Sequence, residues 1–316
     1  MSGWRVLITC PQLQRTIDAH AARFTEHDIE LLIPPVVQQM TEDELVTLAP
    51  GIDGMVVGDD PITERVLEAG DRLRVVSKWG VGIDNINLAA ARERGITVSN
   101  TPAMFGAEVA DVVIGYLILL ARRLHAVDNA VRGGHWFKPE GLSLAGRTMG
   151  VIGLGDIGRS VVKRAAAMEM RVLGAEMLAD RAEAATKLGA EVVTQQQLLR
   201  ESDAVSLNCP LTPENRHMID AAALASMKRG AWIINTARGG LIDEPALTNA
   251  LQEGHLAGAA LDVFEMEPLP AESPLRHLDH VILGSHNSSN TAEAVHRTSV
   301  RAIDNLLAGL AERGAG

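Results

Sequence analysis

The stretch that decides the fold reads Gly150-Val-Ile-Gly153-Leu-Gly155-Asp-Ile-Gly158. An apolar strand is predicted over 148–152, just before the glycines, and a helix over 157–168, just after them. A second predicted strand, 171–175, ends at Glu176. Because the Gly-x-Gly-x-x-Gly spacing falls at the first turn of a strand–helix–strand unit, the pattern predicts a dinucleotide-binding domain.

Each glycine of this loop has a predicted task. Gly153 permits the tight turn, Gly155 lets the backbone approach a pyrophosphate, and Gly158 lets the helix pack closely on the strand. The start of the helix adds unpaired N–H groups and the positive end of its dipole. The candidate cofactor-binding loop consists of these three glycines together with Asp156 and Ile157, which lie between the second and the third.

The acidic residue at the end of the second strand selects between cofactors. Glu176 stands where a carboxylate accepts hydrogen bonds from the ribose hydroxyls of NAD. The same negative charge would repel the 2′-phosphate of NADP. The sequence therefore predicts NAD as the cofactor.

Composition limits the number of domains, the class of partner and the cellular compartment. The 316 residues are too many for one typical domain and predict two. A net charge of −11 argues against nucleic-acid and anionic-membrane partners. The two cysteines, Cys10 and Cys209, follow predicted strands and indicate free thiols in a reducing, cytoplasmic compartment. No metal site is predicted, and the apolar run 112–121 is too short to span a bilayer.

Strand and helix signals alternate on both sides of the central segment, which predicts parallel sheets covered by helices on both faces. One long helix is predicted over 105–124, and Pro61 is expected in the first turn of a helix over 62–69. A capping box is expected at Thr41 and Glu44. Further helices are predicted over 220–227, 244–252 and 292–311. The predicted strands are 5–9, 29–33, 54–57, 73–78, 97–99, 148–152, 171–175, 191–193, 204–208, 231–235, 258–262 and 280–283.

Three polar segments directly follow apolar strands of the second half. They carry Arg238, Glu267 and His286. Ligands of open α/β sheets bind beyond the carboxyl ends of the strands, so these side chains are expected to face one crevice. Arginine can pair with a carboxylate and polarise a neighbouring carbonyl, while histidine can exchange a proton with an alcohol. A glutamate beside the histidine would hold its tautomer, and together the three suit carbonyl–alcohol redox chemistry.

Taken singly, each of these residues has a plainer interpretation. Arg238 could be a surface salt-bridge partner, His286 a loop or helix-cap residue, and Glu267 part of a solvated acidic loop with Glu265. Their shared position at strand ends, downstream of a dinucleotide fold, favours the joint catalytic interpretation.

The chain resembles the D-isomer-specific 2-hydroxyacid dehydrogenases over nearly its whole length, and within them the phosphoglycerate dehydrogenase-like and hydroxypyruvate/glyoxylate reductase-like branch. The resemblance rests on the glycine loop with Glu176 and on motifs at 78–85, 100–102, 107–108, 210–214, 235–239, 261–264, 267–268 and 286.

This resemblance implies roles for individual residues. Arg238 would bind the substrate carboxylate and carbonyl, Glu267 would pair with His286, and His286 would act as the general acid and base. Asp262 would contact the nicotinamide carboxamide. The remaining residues that the resemblance assigns are Cys209, Thr236, Ala237, Arg238 and His286 beside the cofactor, Val81 and Gly82 as backbone N–H donors to the substrate carboxylate, and Lys78 as the basic residue for a substrate phosphate. Lys78 could instead only cap the end of its strand.

The resemblance also implies an architecture and a reaction. A flavodoxin-like substrate domain, 1–103 and 287–316, would receive a Rossmann-type cofactor domain, 104–286, as an insertion, and two chains would form a homodimer through 117–144. Hydride would pass between NAD and C2 of a small D-2-hydroxy or 2-oxo acid. The sequence leaves open whether that acid is 3-phosphoglycerate, glycerate or hydroxypyruvate, or glyoxylate, because only Lys78 and the bulky Trp79 bear on it.

The sequence departs from the usual family pattern at two places, and two alternative functions were weighed against the dehydrogenase. Glu176 replaces a commoner aspartate, and Ser285-His286-Asn287 replaces a more usual Pro-His sequence. An NAD(H)-sensing interaction protein of the corepressor type shares the fold and the Arg–Glu–His set, and so remains an alternative. A formate-oxidising relative is disfavoured because Glu267 stands where an amide would be expected.

Overall fold

The computed structural model describes residues 3–311 and divides the chain into two compact units. One unit draws on Met1–Met104 and Asn290–Gly316, and the other is Phe105–Ser289. The ends of the predicted segments 1–103 and 287–316 extend beyond the described residues. Which ligand each unit binds remains a prediction.

The strands of the first unit are β1 (Trp4–Ile8), β2 (Ile29–Leu32), β3 (Gly54–Val57), β4 (Val75–Lys78) and β5 (Thr97–Ser99); its helices up to that point are α1 (Pro11–Arg15), α2 (Ala21–Glu26), α3 (Glu42–Leu48), α4 (Glu64–Ala69) and α5 (Leu88–Glu93). The second unit contains α6 (Gly106–Arg122), α7 (Leu124–Arg132), β6 (Thr148–Ile152), α8 (Asp156–Ala167), β7 (Arg171–Ala175), α9 (Ala179–Thr186), β8 (Ala190–Val192), α10 (Gln195–Glu201), β9 (Ala204–Leu207), α11 (Ala221–Ser226), β10 (Trp232–Asn235), α12 (Glu244–Gln252), β11 (Gly258–Leu261) and β12 (Val281–Leu283). The last helix, α13 (Ala292–Ala311), returns to the first unit.

All strands in both sheets run parallel. The first sheet has the order β2-β1-β3-β4-β5, and the second β12-β11-β10-β9-β6-β7-β8. The strand order reverses direction beside β1 in the first sheet and beside β6 in the second. These are the flavodoxin-like and Rossmann orders, so the predicted fold class of two doubly wound sheets is confirmed.

The sheet of the second unit is buried on both faces, which explains why its strands could be predicted from the sequence. Ile152 and Ile233 belong to one core cluster, whereas their neighbours Val151 and Ile234 belong to the other. Helices α6 and α8 cover one face, and α10, α11 and α12 cover the other. Strands buried on both sides are continuous apolar runs, which are strong signals in a sequence.

Helix α13 packs on the first sheet at two glycines. A Cβ on Gly54 of β3 would lie 2.7 Å from Leu306, and a Cβ on Gly309 would lie 2.5 Å from Val75. The indole of Trp79, just after β4, also donates to Ser299 Oγ of this helix at 3.1 Å. The final segment of the chain is therefore part of the core of the first unit.

Two helix predictions were wrong in detail. The helix expected over 105–124 ends at Arg122, because Arg123 adopts a left-handed conformation with φ 52° and a new helix begins at Leu124. Pro61 lies before its helix, since Thr63 is the N-cap and accepts a hydrogen bond from the backbone N–H of Val66. The capping box of Thr41 and Glu44 is confirmed.

Among residues 3–311, no helix combines the length and the apolar character needed to cross a membrane. The same residues contain no group of three His, Cys, Asp or Glu side chains arranged to hold a metal ion.

Candidate active site

The predicted polar residues follow three neighbouring strands of the second sheet. Arg238 follows β10, Asp262 and Glu267 follow β11, and His286 follows β12. These strands are adjacent and parallel, so their carboxyl ends lie at the same edge of the sheet. Sheet topology thus brings four predicted site residues to one edge.

His286 and Glu267 form a direct pair. The imidazole Nδ1 lies 2.7 Å from Glu267 Oε2, and the two side chains are only 23% and 16% exposed. The other carboxylate oxygen, Oε1, accepts the backbone N–H of Phe264 at 3.0 Å. Because a carboxylate can only accept, Nδ1 carries a proton and the carboxylate fixes the tautomer and orientation of the ring.

Asp262 holds the segment that carries His286. Its carboxylate accepts the backbone N–H of Ser288 at 2.8 Å and that of Asn287 at 3.2 Å, and the hydroxyl of Ser288 also donates to it. The backbone N–H of His286 donates to Asp262 O at 2.7 Å. His286 itself has φ 54°, a conformation uncommon outside glycine, and these bonds keep it there. The predicted contact of Asp262 with the nicotinamide carboxamide stays a prediction.

The loop carrying Arg238 is braced from within. The amide of Asn235 donates to Arg238 O at 2.8 Å, and its oxygen accepts the N–H of Ala237 at 3.0 Å. The next residue, Gly239, touches the following loop so closely that a Cβ there would lie 1.9 Å from the carbonyl carbon of Phe264. The backbones of the Arg238 and Glu267 loops are therefore in direct contact.

Sequence reasoning missed a second contact between these loops. The backbone N–H of Glu265 donates to Glu244 Oε1 at 2.5 Å, and the N–H of Glu244 lies 3.4 Å from Glu265 Oε1. His217 Nε2 approaches Glu265 Oε1 to 2.8 Å. In the sequence, Glu244 and Glu265 each follow a predicted strand, but nothing else indicates that they are in contact. The contact depends on β10 and β11 being neighbours in the sheet.

The glycine loop has the close contacts that its motif predicts. A Cβ on Gly153, where φ is 87°, would lie 2.7 Å from the backbone nitrogen of Cys209, and one on Gly158 would lie 1.9 Å from Gly153 O. By contrast, a Cβ added on Gly155 would have one described neighbour within 4 Å, the guanidinium of Arg181 at 3.9 Å. This leaves room for a phosphate beside the start of α8 and places a cation next to it.

The remaining predicted cofactor residues lie around the same sheet edge. Glu176 accepts the N–H of Leu154 at 2.9 Å, so its carboxylate adjoins the glycine loop. Thr236 Oγ1 is buried and has no hydrogen-bond partner among residues 3–311, so a bound molecule can satisfy it. Cys209 is a free thiol, and burial raises its pKa to about 11. The thiol is therefore protonated and unreactive at neutral pH. The open space, the helix start and the orphaned hydroxyl together fit a dinucleotide.

The predicted substrate residues of the first unit differ in accessibility. Val81 is 42% exposed, and the preceding Gly80 is held by Thr101, whose hydroxyl accepts its N–H at 2.9 Å. Gly82 is partly buried. Lys78 is only 2% exposed, and its ammonium donates to Gly58 O at 2.5 Å and to Asp59 Oδ1 at 3.0 Å. A substrate phosphate would therefore have to compete with Asp59 for this lysine.

Comparison with known proteins agrees with this geometry. Residues 114–288 match the family model of the D-isomer specific 2-hydroxyacid dehydrogenase NAD binding domain. The chain is 36% identical to hydroxypyruvate reductase of Thermotoga maritima over 97% of this chain and 98% of the relative. It is 42% identical to glyoxylate reductase of Korarchaeum cryptofilum, covering 79% of this chain and 76% of the relative.

A solved structure is similar to the whole chain. D-lactate dehydrogenase of Aquifex aeolicus, in complex with NAD and lactic acid, superimposes with a TM-score of 0.83. The two sequences are 28% identical, and the match covers 96% of this chain and 94% of the other.

Proposed function

This chain belongs to the D-isomer-specific 2-hydroxyacid dehydrogenase family, and from that premise we propose that it reduces small unphosphorylated 2-oxo acids of the hydroxypyruvate and glyoxylate type. It is an NAD-dependent oxidoreductase acting on the CH–OH group. The observation that carries the proposed chemistry is the 2.7 Å pair of His286 Nδ1 and Glu267 Oε2.

The proton chemistry follows from that pair. With Nδ1–H directed at Glu267, the protonated imidazole carries its second proton on Nε2. His286 donates this proton to the oxygen of the substrate carbonyl as that oxygen gains negative charge, and Nδ1–H stays with Glu267. Bound NADH supplies the hydride that reduces C2. In the oxidative direction, neutral Nε2 accepts the proton of the hydroxyl.

Arg238 is proposed to bind the substrate carboxylate. A guanidinium pairs with a carboxylate through two parallel hydrogen bonds and can polarise the adjacent carbonyl. The bracing of its loop by Asn235, and the contact of Gly239 with the Glu267 loop, favour a fixed position relative to the acid. Val81 and Gly82 are proposed to add backbone N–H donors.

The substrate class is inferred from Lys78. Its ammonium is buried and is occupied by Gly58 O and by Asp59, whose side chain is 33% exposed, so binding a phosphate would require displacing that carboxylate. This favours hydroxypyruvate and glyoxylate over a phosphorylated acid.

Steady-state oxidation of NADH with glyoxylate, hydroxypyruvate and phosphohydroxypyruvate tests the proposal. We expect turnover with the first two acids and a much higher KM for the third. The result that would overturn the substrate class is preference for the phosphorylated acid. Tight NADH binding without turnover on any 2-oxo acid would favour the sensing protein instead.

A histidine variant tests the acid. His286→Asn should lower kcat by about 10²–10⁴-fold, because it removes the proton donor, and leave the Kd of NADH nearly unchanged. The exposed His277 of the same unit provides the control, and His277→Asn should keep full activity. Full activity of His286→Asn on every accepted acid would show that another group donates the proton.

We further propose that the protein acts as a cytoplasmic homodimer. Support for the compartment comes from Cys10 and Cys209, which are free thiols. Support for the dimer comes from the family resemblance and from exposed apolar side chains between residues 124 and 142.

A further inference from the structure

The first unit contains a pocket that plays no part in the proposed hydride chemistry. Its volume is about 280 Å³, and it lies between α1, the turn that follows α1, and the beginning of α13. The polar side chains that matter for its chemistry are Arg15, Thr16, His20, Asn290, Thr291 and His296. All of them belong to the first unit, whereas Arg238, Glu267 and His286 belong to the second.

As far as the described residues line it, this pocket is basic and contains no carboxylate. The chain as a whole has 40 acidic and 29 basic residues, so an acid-free pocket with an arginine and two histidines departs from the prevailing charge. Arg15 is exposed, and its guanidinium has no ion pair or hydrogen bond within the part of the chain that the structure describes. Its charge is available to a ligand.

A buried imidazole with an unmet hydrogen bond lies in the same pocket. His20 is 3% exposed, and its Nε2 has no hydrogen-bond partner among residues 3–311. Leaving a buried polar atom unpaired is unfavourable, so such an atom is unusual unless something else satisfies it. The ring stacks on His296 with centroids 5.9 Å apart and planes 19° from parallel.

The beginning of α13 adds a further attraction for negative charge. The pocket is lined by Asn290, Thr291 and Ala292, at the amino end of a helix of 20 residues. Thr291 Oγ1 caps the N–H of Ala294 at 3.1 Å, and the remaining first-turn N–H groups have no partner within the helix. Glu293 lies in this turn but does not line the pocket.

We propose that this pocket binds a small oxyanion, a carboxylate or phosphate group, through Arg15 and the stacked pair His20 and His296. The arginine supplies the permanent charge and a planar set of donors. The imidazoles supply donors that strengthen on protonation, and the helix start supplies a partial positive charge. None of its lining residues is among those proposed for the oxo-acid site.

The electrostatics of His20 give the site a measurable signature. Burial lowers the pKa of His20, and the nearby His296 of α13 and Arg23 of α2 lower it further. The ring is therefore neutral at pH 7 before a ligand binds. An anion beside it favours the protonated form, so binding should raise the pKa of His20 and take up protons.

Histidine-selective ¹³C NMR of the full chain tests the proposal. Inorganic phosphate and malonate are titrated separately at constant ionic strength, with His20→Gln and His296→Gln used to assign the two signals. We expect saturable shifts of both signals, with the pKa of His20 higher at saturation. Saturation by phosphate alone, by malonate alone or by both supports the proposal, and the pattern identifies which oxyanion the site accepts.

Two exposed arginines of the first unit separate the site from general charge effects. Arg15→Gln should weaken the binding about tenfold, the loss expected for one charge-assisted hydrogen bond. Arg92→Gln removes another exposed arginine, which belongs to α5 and does not line the pocket, and should leave the affinity unchanged. Shifts that do not saturate, or equal losses in the two variants, would overturn the proposal. Because the signals report on His20 and His296, this result is independent of turnover on any 2-oxo acid.

Discussion

The position of His286 depends on residues that do no chemistry themselves. The Asp262 carboxylate accepts two backbone N–H groups just beyond the histidine, and its carbonyl accepts the histidine N–H. With φ at 54°, the histidine would otherwise favour another backbone conformation. The same aspartate also faces Tyr116, whose pKa is raised by burial and by this negative charge. A single carboxylate therefore organises the segment that presents the acid.

Glu244 offers a test of electrostatics at the residue scale. Burial raises the pKa of Glu244 above its ordinary 4.5, and the charges of Glu265 and Glu267 raise it further, against one hydrogen bond from the Glu265 N–H. The folded chain then binds this proton more tightly than the unfolded chain. The contribution of this group to stability therefore falls as pH rises from about 4.5 through its raised pKa, and is constant above it.

Glu244→Gln removes that loss and keeps an oxygen to accept the Glu265 N–H. We expect the melting temperature of the variant, relative to the wild type, to increase between pH 4.5 and pH 7, measured by scanning calorimetry. The α12 dipole acts the other way, by about 0.3–1 kcal/mol, because it favours a negative charge in the first turn. A difference that shrinks toward pH 7 would show that the dipole dominates. Glu272→Gln, at an exposed turn residue outside any helix, should show neither trend.

Residue types and their order along the chain predicted the His286–Glu267 pair, because both residues follow strands whose apolar character is unmistakable. The surroundings of Lys78 could not be predicted in this way. The lysine ends one strand and Asp59 follows another, and their 3.0 Å contact exists only because β3 and β4 are neighbours in the sheet. A basic residue at a strand end therefore predicts a ligand only when its partners from other strands are known.

At the scale of elements, strand bounds were predicted closely and helix breaks were not. Strands such as β6 and β10 are buried on both faces, so their apolar runs begin and end with the sheet. The break between α6 and α7 falls at Arg123 in Arg122-Arg123-Leu124, which contains neither glycine nor proline. A left-handed residue without a glycine leaves no signal in the local sequence.

Two glycines in helices of the second unit allow an element-scale prediction with opposite signs. Gly158→Ala would place a Cβ 1.9 Å from Gly153 O, so α8 must move away from the glycine loop. We expect a loss of stability at the upper end of about 1–3 kcal/mol and much weaker NADH binding. Gly115→Ala, with nothing within 4 Å in α6, should instead stabilise by about 0.5–1 kcal/mol.

Denaturant unfolding together with fluorescence titration of NADH measures both effects. If Gly158→Ala bound NADH as tightly as the wild type, the close approach of helix and loop would not matter for the cofactor. If Gly115→Ala destabilised the protein, other protein atoms would have to pack against α6 at that position in solution.

At the scale of the whole molecule, one stretch of the second unit is left without a covering. Helix α7 has no buried residue, and five large apolar side chains from this helix to the following loop are exposed: Leu124, Val131, Trp136, Phe137 and Leu142. Trp136 is 80% exposed. A concentration of large exposed apolar groups marks a surface that is buried in an assembly. The proposed homodimer gives this segment its partner.

Charges placed in that segment should separate the dimer. The chain mass is 33.7 kDa, so we expect wild-type protein at about twice this value by light scattering coupled to size exclusion. The double variant Val131→Glu/Trp136→Glu should run as a monomer, because burying a lone carboxylate in an interface costs several kcal/mol. Val37→Glu alters a side chain of the first unit that is 92% exposed and should leave the dimer intact. A monomeric wild type would refute the dimer, and a monomeric Val37→Glu would place its interface elsewhere.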